Sequence, residues 1–268
     1  MGDMFTRAKL IVAHPDDECL WFSSVLEKVE EVVQCYENHP KLEGVGEARR
    51  EARERINRVL AERKLARIIS LGMEEVDTFA FIDWDVPVPN RFGLQLNNAR
   101  AQQRYEANFA DVLEQLRPIV ADCVNVYTHN PWGEYGHPDH VQLFRVLAQL
   151  QSDLGYDLWC TNYASNQTVQ HALRYIDGFH PDYVTIDTNV ELARELAQAY
   201  RLTSSWTWLD SFEWFPTESF SRRVELRDEA GETGSLMPFN FMKLNFQAPE
   251  PPPRPTWIDR VRRRIRSF

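Results

Sequence analysis

The chain has 268 residues, 43% hydrophobic and 26% charged, enough to bury the core of one large domain. Its formal net charge of −10 excludes general nucleic-acid binding, which needs a basic surface to displace counterions. No run of about 18 apolar residues could span a membrane. The first nine residues lack a signal peptide's apolar segment, and Cys19, Cys35, Cys123 and Cys160 form no Cys-x-x-Cys pair, so the reading is a cytoplasmic protein with reduced thiols.

Residues 9–13 (Lys-Leu-Ile-Val-Ala) form an apolar run that stops at His14-Pro15, as the first buried strand of a parallel sheet would. A short helix is expected over 15–28, abbreviated because only about ten residues follow Glu18 before the second strand, 29–36. Residues 47–64 suit a solvated amphipathic helix carrying Ile56, Val59 and Leu60, and 66–71 a third strand. Pro87, Pro89, Asn90 and Gly93 mark 83–98 as a loop. Helical spacing returns over 99–116, a strand over 122–128, and a helix over 140–151. Strands follow at 157–163 and 183–187, separated by helical 168–176, and a last helix covers 189–202. This alternation predicts an α/β fold, a mostly parallel sheet with helices on both faces, whose ligands bind beyond the carboxyl ends of the strands.

The chain divides into a domain over 1–248 and a tail over 249–268. The tail opens on a stiff Pro251-Pro252-Pro253-Arg254-Pro255 linker. Trp257, Ile258, Val261, Ile265 and Phe268 then recur at helical spacing among five further arginines. Six arginines and one aspartate from Arg254 onward make the tail locally +5 and leave the rest near −15. A basic amphipathic helix of this kind reads either as a peripheral contact with anionic lipid at the inner membrane face, or as a helix docked on the acidic body of its own or a neighbouring subunit, which would make a homo-oligomer.

Chemistry is concentrated directly after two of the strands. Ala13-His14-Pro15-Asp16-Asp17-Glu18 follows the first, with Pro15 suited to a first helical turn. Trp132-Gly133-Glu134-Tyr135-Gly136-His137-Pro138-Asp139-His140 follows the strand that ends at Thr128, and Pro138 places His137 and His140 about one turn apart. Either motif alone could be a capped helix with incidental histidines. Together they offer what hydrolytic zinc takes, two histidines and one carboxylate with an open fourth position, and a second carboxylate beside them as a base. No serine or cysteine occupies a comparable setting, so a nucleophilic triad does not fit. A third His-Pro-Asp, His180-Pro181-Asp182, leads into a strand and reads as a surface turn.

The pair of motifs resembles the LmbE-like, or PIG-L, family of zinc-dependent N-deacetylases, typified by the enzyme acting on GlcNAc-phosphatidylinositol. The match is specific over 10–18 and 132–141 and looser over 189–202. The resemblance implies a Rossmann-like fold with one Zn²⁺ per chain (Fe²⁺ or Co²⁺ being the alternatives) on His14, Asp17 and His140. It also implies Asp16 as general base, His137 as general acid, Tyr135 as a polar group near the carbonyl oxygen, and Asp139 as the residue that orients His137 and raises its pKa. Such a site would activate a water, stabilise an oxyanion and protonate the departing amine, releasing acetate from an N-acetylated amino sugar that is either small or lipid-linked. The family's Gly-rich segment and Arg-x-x-Glu do not recur with their spacing in Gly44-Val45-Gly46-Glu47-Ala48-Arg49-Arg50-Glu51. Amidase action on a larger acyl group, or a non-catalytic sugar-binding module, are the alternative readings.

Trp206, Trp208, Phe212, Trp214, Phe215 and Phe220 lie within fifteen residues and suit core or interface packing better than a sugar-stacking wall. His129 and Asn130 are expected to line the cleft, Cys19 to play no ligand role, and His39 and His171 to be ordinary surface residues.

Overall fold

The computed structural model describes residues 3–224 and 238–244. In chain order its elements are β1 (Ala8–Val12), α1 (Asp17–Trp21), β2 (Glu31–Asn38), α2 (Val45–Glu62), β3 (Ile68–Glu74), β4 (Pro89–Asn90), β5 (Gly93–Leu94), α3 (Ala99–Val120) and β6 (Asn125–Thr128). They continue with α4 (Pro138–Leu154), β7 (Asp157–Thr161), β8 (Tyr163–Ser165), α5 (Val169–Ala172), β9 (Phe179–Asp187), α6 (Val190–Leu202), β10 (Thr217–Arg223) and β11 (Asn240–Met242). Seven strands form the central sheet in the order β3-β2-β1-β6-β7-β10-β9. The first five are mutually parallel, and β10 runs antiparallel between β7 and β9. The mostly parallel α/β sheet is thus the one expected.

Alternation along the strands divides the core into two layers. Leu10, Val12 and Val32 face α2 and α6 through Ile56, Leu60, Leu196 and Tyr200. Ile11, Ala13, Val33 and Cys35 face α3 and α4 through Val112, Leu116, Leu143 and Leu147. Both faces of β1 and β2 are therefore covered, which is why Leu10-Ile11-Val12 and Val32-Val33 are apolar on consecutive residues rather than alternating.

Three local expectations change. Helix α1 is five residues long, and the chain then returns by turns that Glu218 of β10 anchors, accepting from Ser24 N–H (3.0 Å), Ser24 Oγ (2.5 Å) and Ser23 Oγ (3.2 Å). Strand β10 itself gave no apolar signal: its Thr-Glu-Ser-Phe-Ser-Arg-Arg sequence is buried by hydrogen bonds and one phenylalanine. His180 lies within β9 rather than in a turn, and its Nδ1 accepts from Asp182 N–H. The stiff linker and basic helix expected over 249–268 lie outside the described residues. No helix among the described residues is long and apolar enough to cross a membrane.

Candidate metal centre

Because β1 and β6 are neighbours, the turns that follow them meet at the carboxyl edge of the sheet. In the first turn Asp16 is the N-cap of α1, not part of its first turn, and its φ of 94° lies in the left-handed region. In the second, Pro138 does open α4 and His137 is its N-cap. This turn also holds a left-handed non-glycine residue, Glu134 at φ 50°. Gly133 beside it has φ 69°, and a methyl group there would lie 2.6 Å from the His137 carbonyl oxygen, so both conformation and space demand glycine.

These turns bring His14, Asp17 and His140 face to face. His14 Nδ1 is 3.3 Å from His140 Nε2 and 3.5 Å from Asp17 Oδ2, and His140 Nε2 is 3.4 Å from Asp17 Oδ1. A tetrahedral ion with bonds of about 2.0–2.1 Å to nitrogen and oxygen separates its ligand atoms by about 3.4 Å. The His14 Nδ1–His140 Nε2 pair stands at that spacing, and Asp17 offers a different oxygen to each ring.

Asp17 is held by the His14 backbone N–H at 2.7 Å and the Trp21 indole N–H at 3.0 Å. Burial pushes its carboxyl up, but His140 and His129 outweigh burial and hold it well below the usual carboxylate range.

Behind the ligands stands Glu134, which the sequence reading did not single out. Its Oε2 is 2.6 Å from His140 Nδ1 and 3.1 Å from His129 Nδ1. Its Oε1 accepts from Asn130 N–H and Thr161 Oγ1, each at 3.0 Å. A carboxylate on the far nitrogen fixes the tautomer and direction of a metal-binding imidazole; here it leaves His140 Nε2 facing His14 and Asp17. Burial works against the charge on Glu134, yet His129 and His140 carry its pKa down to about 2.

Two other histidines approach the same point. His129 with Asp17 and His140, and His137 with His14 and His140, bring ligand atoms within 4.8 Å. His129 Nε2 lies 3.0 Å from Ala13 N and 3.3 Å from Asp17 Oδ2, and its ring stacks on His140 at 3.8 Å. His129 and Asn130 are fully buried supports rather than cleft-lining groups.

The residues expected to do chemistry surround this centre. Asp16 lies on the cleft wall, and its Oδ2 accepts from Thr207 N–H (3.1 Å) and Thr207 Oγ1 (2.7 Å). Burial, with Asp17 beside it, pushes Asp16 up to about 8. A cation on the neighbouring ligands would draw it back down. Tyr135 is half-buried, its ring 4.6 Å from that of Trp208 and 5.4 Å from that of His140.

Asp139 departs from its expected role. Its carboxylate faces His14 Nε2 (3.3 Å) and Thr78 Oγ1 (2.9 Å), while its backbone N–H donates to His137 Nδ1 (3.2 Å). Neutral His137 therefore carries its hydrogen on Nε2. Burial, then the charge of His14, push His137 well below its usual pKa, and the opposing pull of Asp139 is too weak to reverse this. A bound cation would add to the shift.

The cleft in front of these residues holds about 350 Å³. Buried Arg49 pairs with buried Glu75 at 2.6 Å, and the other Glu75 oxygen lies 3.8 Å from His14 Nε2, where His14, Glu75 and Asp139 form a third group of potential ligand atoms. Glu75 directly follows β3, so its place after a strand was a usable signal; Thr207, inside the aromatic segment, offered none. His39 also lines the cleft, 3.8 Å from Asp77, and neither it nor His171, which is 1% exposed, is an ordinary surface residue. Of the aromatic cluster, Phe220 is buried in the core, and Trp206, Trp208, Phe212, Trp214 and Phe215 pack against it, with Trp208 also reaching the cleft.

The profile of the PIG-L family, described as GlcNAc-PI de-N-acetylase, matches residues 9–151, just over half of the chain. Among solved structures, a deacetylase of the teicoplanin biosynthesis pathway is similar at 14% identity and TM-score 0.56, covering 83% of this chain and 100% of that one. The zinc inhibited form of teicoplanin deacetylase Orf2 is similar at 16% identity and TM-score 0.56, with the same coverage. The A40926 pseudoaglycone deacetylase is similar at 14% identity and TM-score 0.53, covering 85% of this chain and 100% of that one. At such identities the likeness is one of fold. No curated protein matches the chain.

Proposed function

Since this chain belongs to the PIG-L (GlcNAc-PI de-N-acetylase) family, we propose that it is a metal-dependent hydrolase that removes the acetyl group from the nitrogen of an amino sugar. The observation that carries the reading is the meeting of His14 Nδ1 and His140 Nε2 at 3.3 Å with the Asp17 carboxylate, whose Oδ2 and Oδ1 lie 3.5 Å and 3.4 Å from them respectively, with the Asp16 carboxylate next to it on the cleft wall. The deacetylases of similar fold support the reaction class.

His14, Asp17 and His140 would hold one zinc ion, with iron(II) or cobalt(II) as alternatives; when bound, the ion lowers the pKa of its water toward ~7 and polarises the amide carbonyl. Asp16 takes the proton of the attacking water. Thr207 occupies Oδ2 of Asp16 twice over, which leaves Oδ1 for this transfer. His137, half-buried at the cleft and held toward its neutral form, offers Nε2–H to the carbonyl oxygen as charge develops there, with Tyr135 beside it. The departing nitrogen then receives the proton that Asp16 accepted, so Asp16 takes the general-acid role that the sequence assigned to His137, whose pKa burial holds down. Asp139 acts through His14, keeping that ring turned toward its partners.

The test is acetate release from a panel of N-acetylated amino-sugar glycosides, with metal content measured on the same preparation. Metal-dependent release, falling as the acyl chain lengthens, is expected. Release that survives complete removal of metal contradicts the proposal.

A further inference from the structure

Asp16 stands apart from the other acids of the metal centre. Three carboxylates line the cleft, those of Asp16, Asp17 and Glu75. Among the described residues, Asp17 and Glu75 each belong to a group of potential ligand atoms, and Asp16 belongs to none. Yet Asp16 is next to Asp17 in the chain and shares its turn. A catalytic metal keeps one position open for water, and zinc accepts aspartate oxygens as ligands. A carboxylate so close competes with water for that position unless something holds it back.

Its own helix does not. Asp16 is the N-cap of α1, where an aspartate side chain ordinarily accepts from an N–H of the first turn. The Asp16 side chain makes no such bond. Its Oδ2 instead accepts twice from one residue, from Thr207 N–H at 3.1 Å and from Thr207 Oγ1 at 2.7 Å. The left-handed Asp16 backbone adds a strain that its surroundings must carry.

Thr207 comes from far along the chain, in the irregular segment between α6 and β10. That segment is fastened on both sides of Thr207. Before it, Ser205 N–H donates to the Tyr200 carbonyl at 3.0 Å. After it, the Trp208 ring lies 4.6 Å from that of Tyr135 and 5.1 Å from that of Trp21, and Trp214 Nε1 donates to the Cys19 carbonyl at 2.6 Å. Thr207 therefore meets Asp16 from a position that other contacts set, as an anchor must. Thr207 itself is exposed, so replacing it leaves the core intact.

We infer that Thr207 is a positioning residue that keeps the Asp16 carboxylate out of the metal's donor set, leaving the open position to water and Asp16 free to act as the base. This rests on the metal site of the proposed function, and on the acetylated substrate only for its effect on rate.

The experiment uses the full-length cobalt(II)-substituted protein and azide, an anion that takes an open metal position and is followed by the visible spectrum. Thr207→Val keeps the shape and the backbone N–H but loses Oγ1. Azide affinity should fall by at least about tenfold in this variant, the effect of losing one hydrogen bond to a charged group. Thr207→Ser keeps the hydroxyl and should recover the wild-type affinity. In an Asp16→Asn background, Thr207→Val should have no effect on azide. With N-acetylated amino sugars, Thr207→Val should lower kcat by a similar factor and change KM little. Unchanged azide affinity in Thr207→Val overturns the proposal. So does a loss that persists in the Asp16→Asn background, which would report a displaced segment rather than a captured carboxylate. Azide binding is read without turnover, so a failure to release acetate leaves this result standing, and failure of the azide test leaves acetate release untouched.

Discussion

The two turns that build the metal centre each place a carboxylate residue in left-handed backbone, but they aim it in opposite directions. Asp16 (φ 94°) is presented to the cleft and braced from far along the chain by Thr207. Glu134 (φ 50°) is turned inward, fully buried, and braced by Asn130 and by Thr161 of the adjacent strand β7. Strained backbone at a functional site has to be held by its surroundings, and here similar strain yields a reactive group in one corner and a support in the other. Loss of the Asp16 carboxylate should therefore impair the chemistry, and loss of the Glu134 carboxylate the retention of metal.

The largest effect should come from His140→Ala, which removes a donor on which both corners converge. Bound metal and acetate release should vanish together, the rate falling by about three orders of magnitude, as losing several kcal/mol of charge stabilisation implies. Retention of stoichiometric metal in this variant would show that the ion sits elsewhere. Asp16→Asn then isolates the first corner. Metal content should stay at the wild-type level while kcat drops ~10²–10⁴-fold, the usual contribution of a positioned base. If metal is lost as well, Asp16 belongs to the donor set and the contrast between the corners disappears.

Glu134→Gln isolates the second. Metal affinity, measured by competition with a chelator, should weaken roughly 10–100-fold, and the visible spectrum of the cobalt-substituted protein should change, while kcat at saturating metal changes little. A large fall in kcat with unchanged affinity would make Glu134 part of the chemistry.

The sequence showed the first corner more fully than the second. His14, Asp16 and Asp17 stand together after an obvious apolar strand, and Pro138 correctly announced the helix that carries His140. The role of Glu134 was not legible, because the left-handed turn that folds it back onto His129 and Asn130 has no sequence signature, and Thr161 reaches it only when β6 and β7 pair. The same holds for β10, whose burial depends on Ser23, Ser24 and Tyr163 meeting Glu218 across the fold. Apolar periodicity reports layers, and it is silent where burial is achieved by hydrogen bonds. His137 illustrates a further limit: a carboxylate two residues away suggested an imidazolium, but the carboxylate of Asp139 faces His14, and only its backbone N–H reaches the His137 ring.

A smaller effect separates the corners by pH. Each contains a fully buried carboxylate outside the donor set, Glu18 in the first and Glu134 in the second. Glu134 faces two imidazoles and is held near 2, so its contribution to stability is present above the unfolded value of 4.5 and disappears as pH falls toward 2. Glu18 accepts only from neutral donors, Tyr200 Oη at 2.6 Å and Gln34 Nε2 at 2.9 Å, and burial lifts it to about 7. Its sign is the reverse. Below 4.5 the carboxyl is protonated in both folded and unfolded chains; between 4.5 and 7 the unfolded chain ionises first, and stability falls. The Glu18→Gln variant should flatten this decline and be more stable than wild type above pH 7, by at most about 3 kcal/mol at roughly 1.4 kcal/mol per unit. Gln34 Oε1 is buried without a partner, so the new amide would find an acceptor once the Gln34 side chain turns over. Denaturant midpoints measured from pH 4 to 8 check this, and parallel curves for the two proteins would mean that Glu18 stays ionised throughout and that its neutral partners hold a charge as well as the imidazoles hold Glu134.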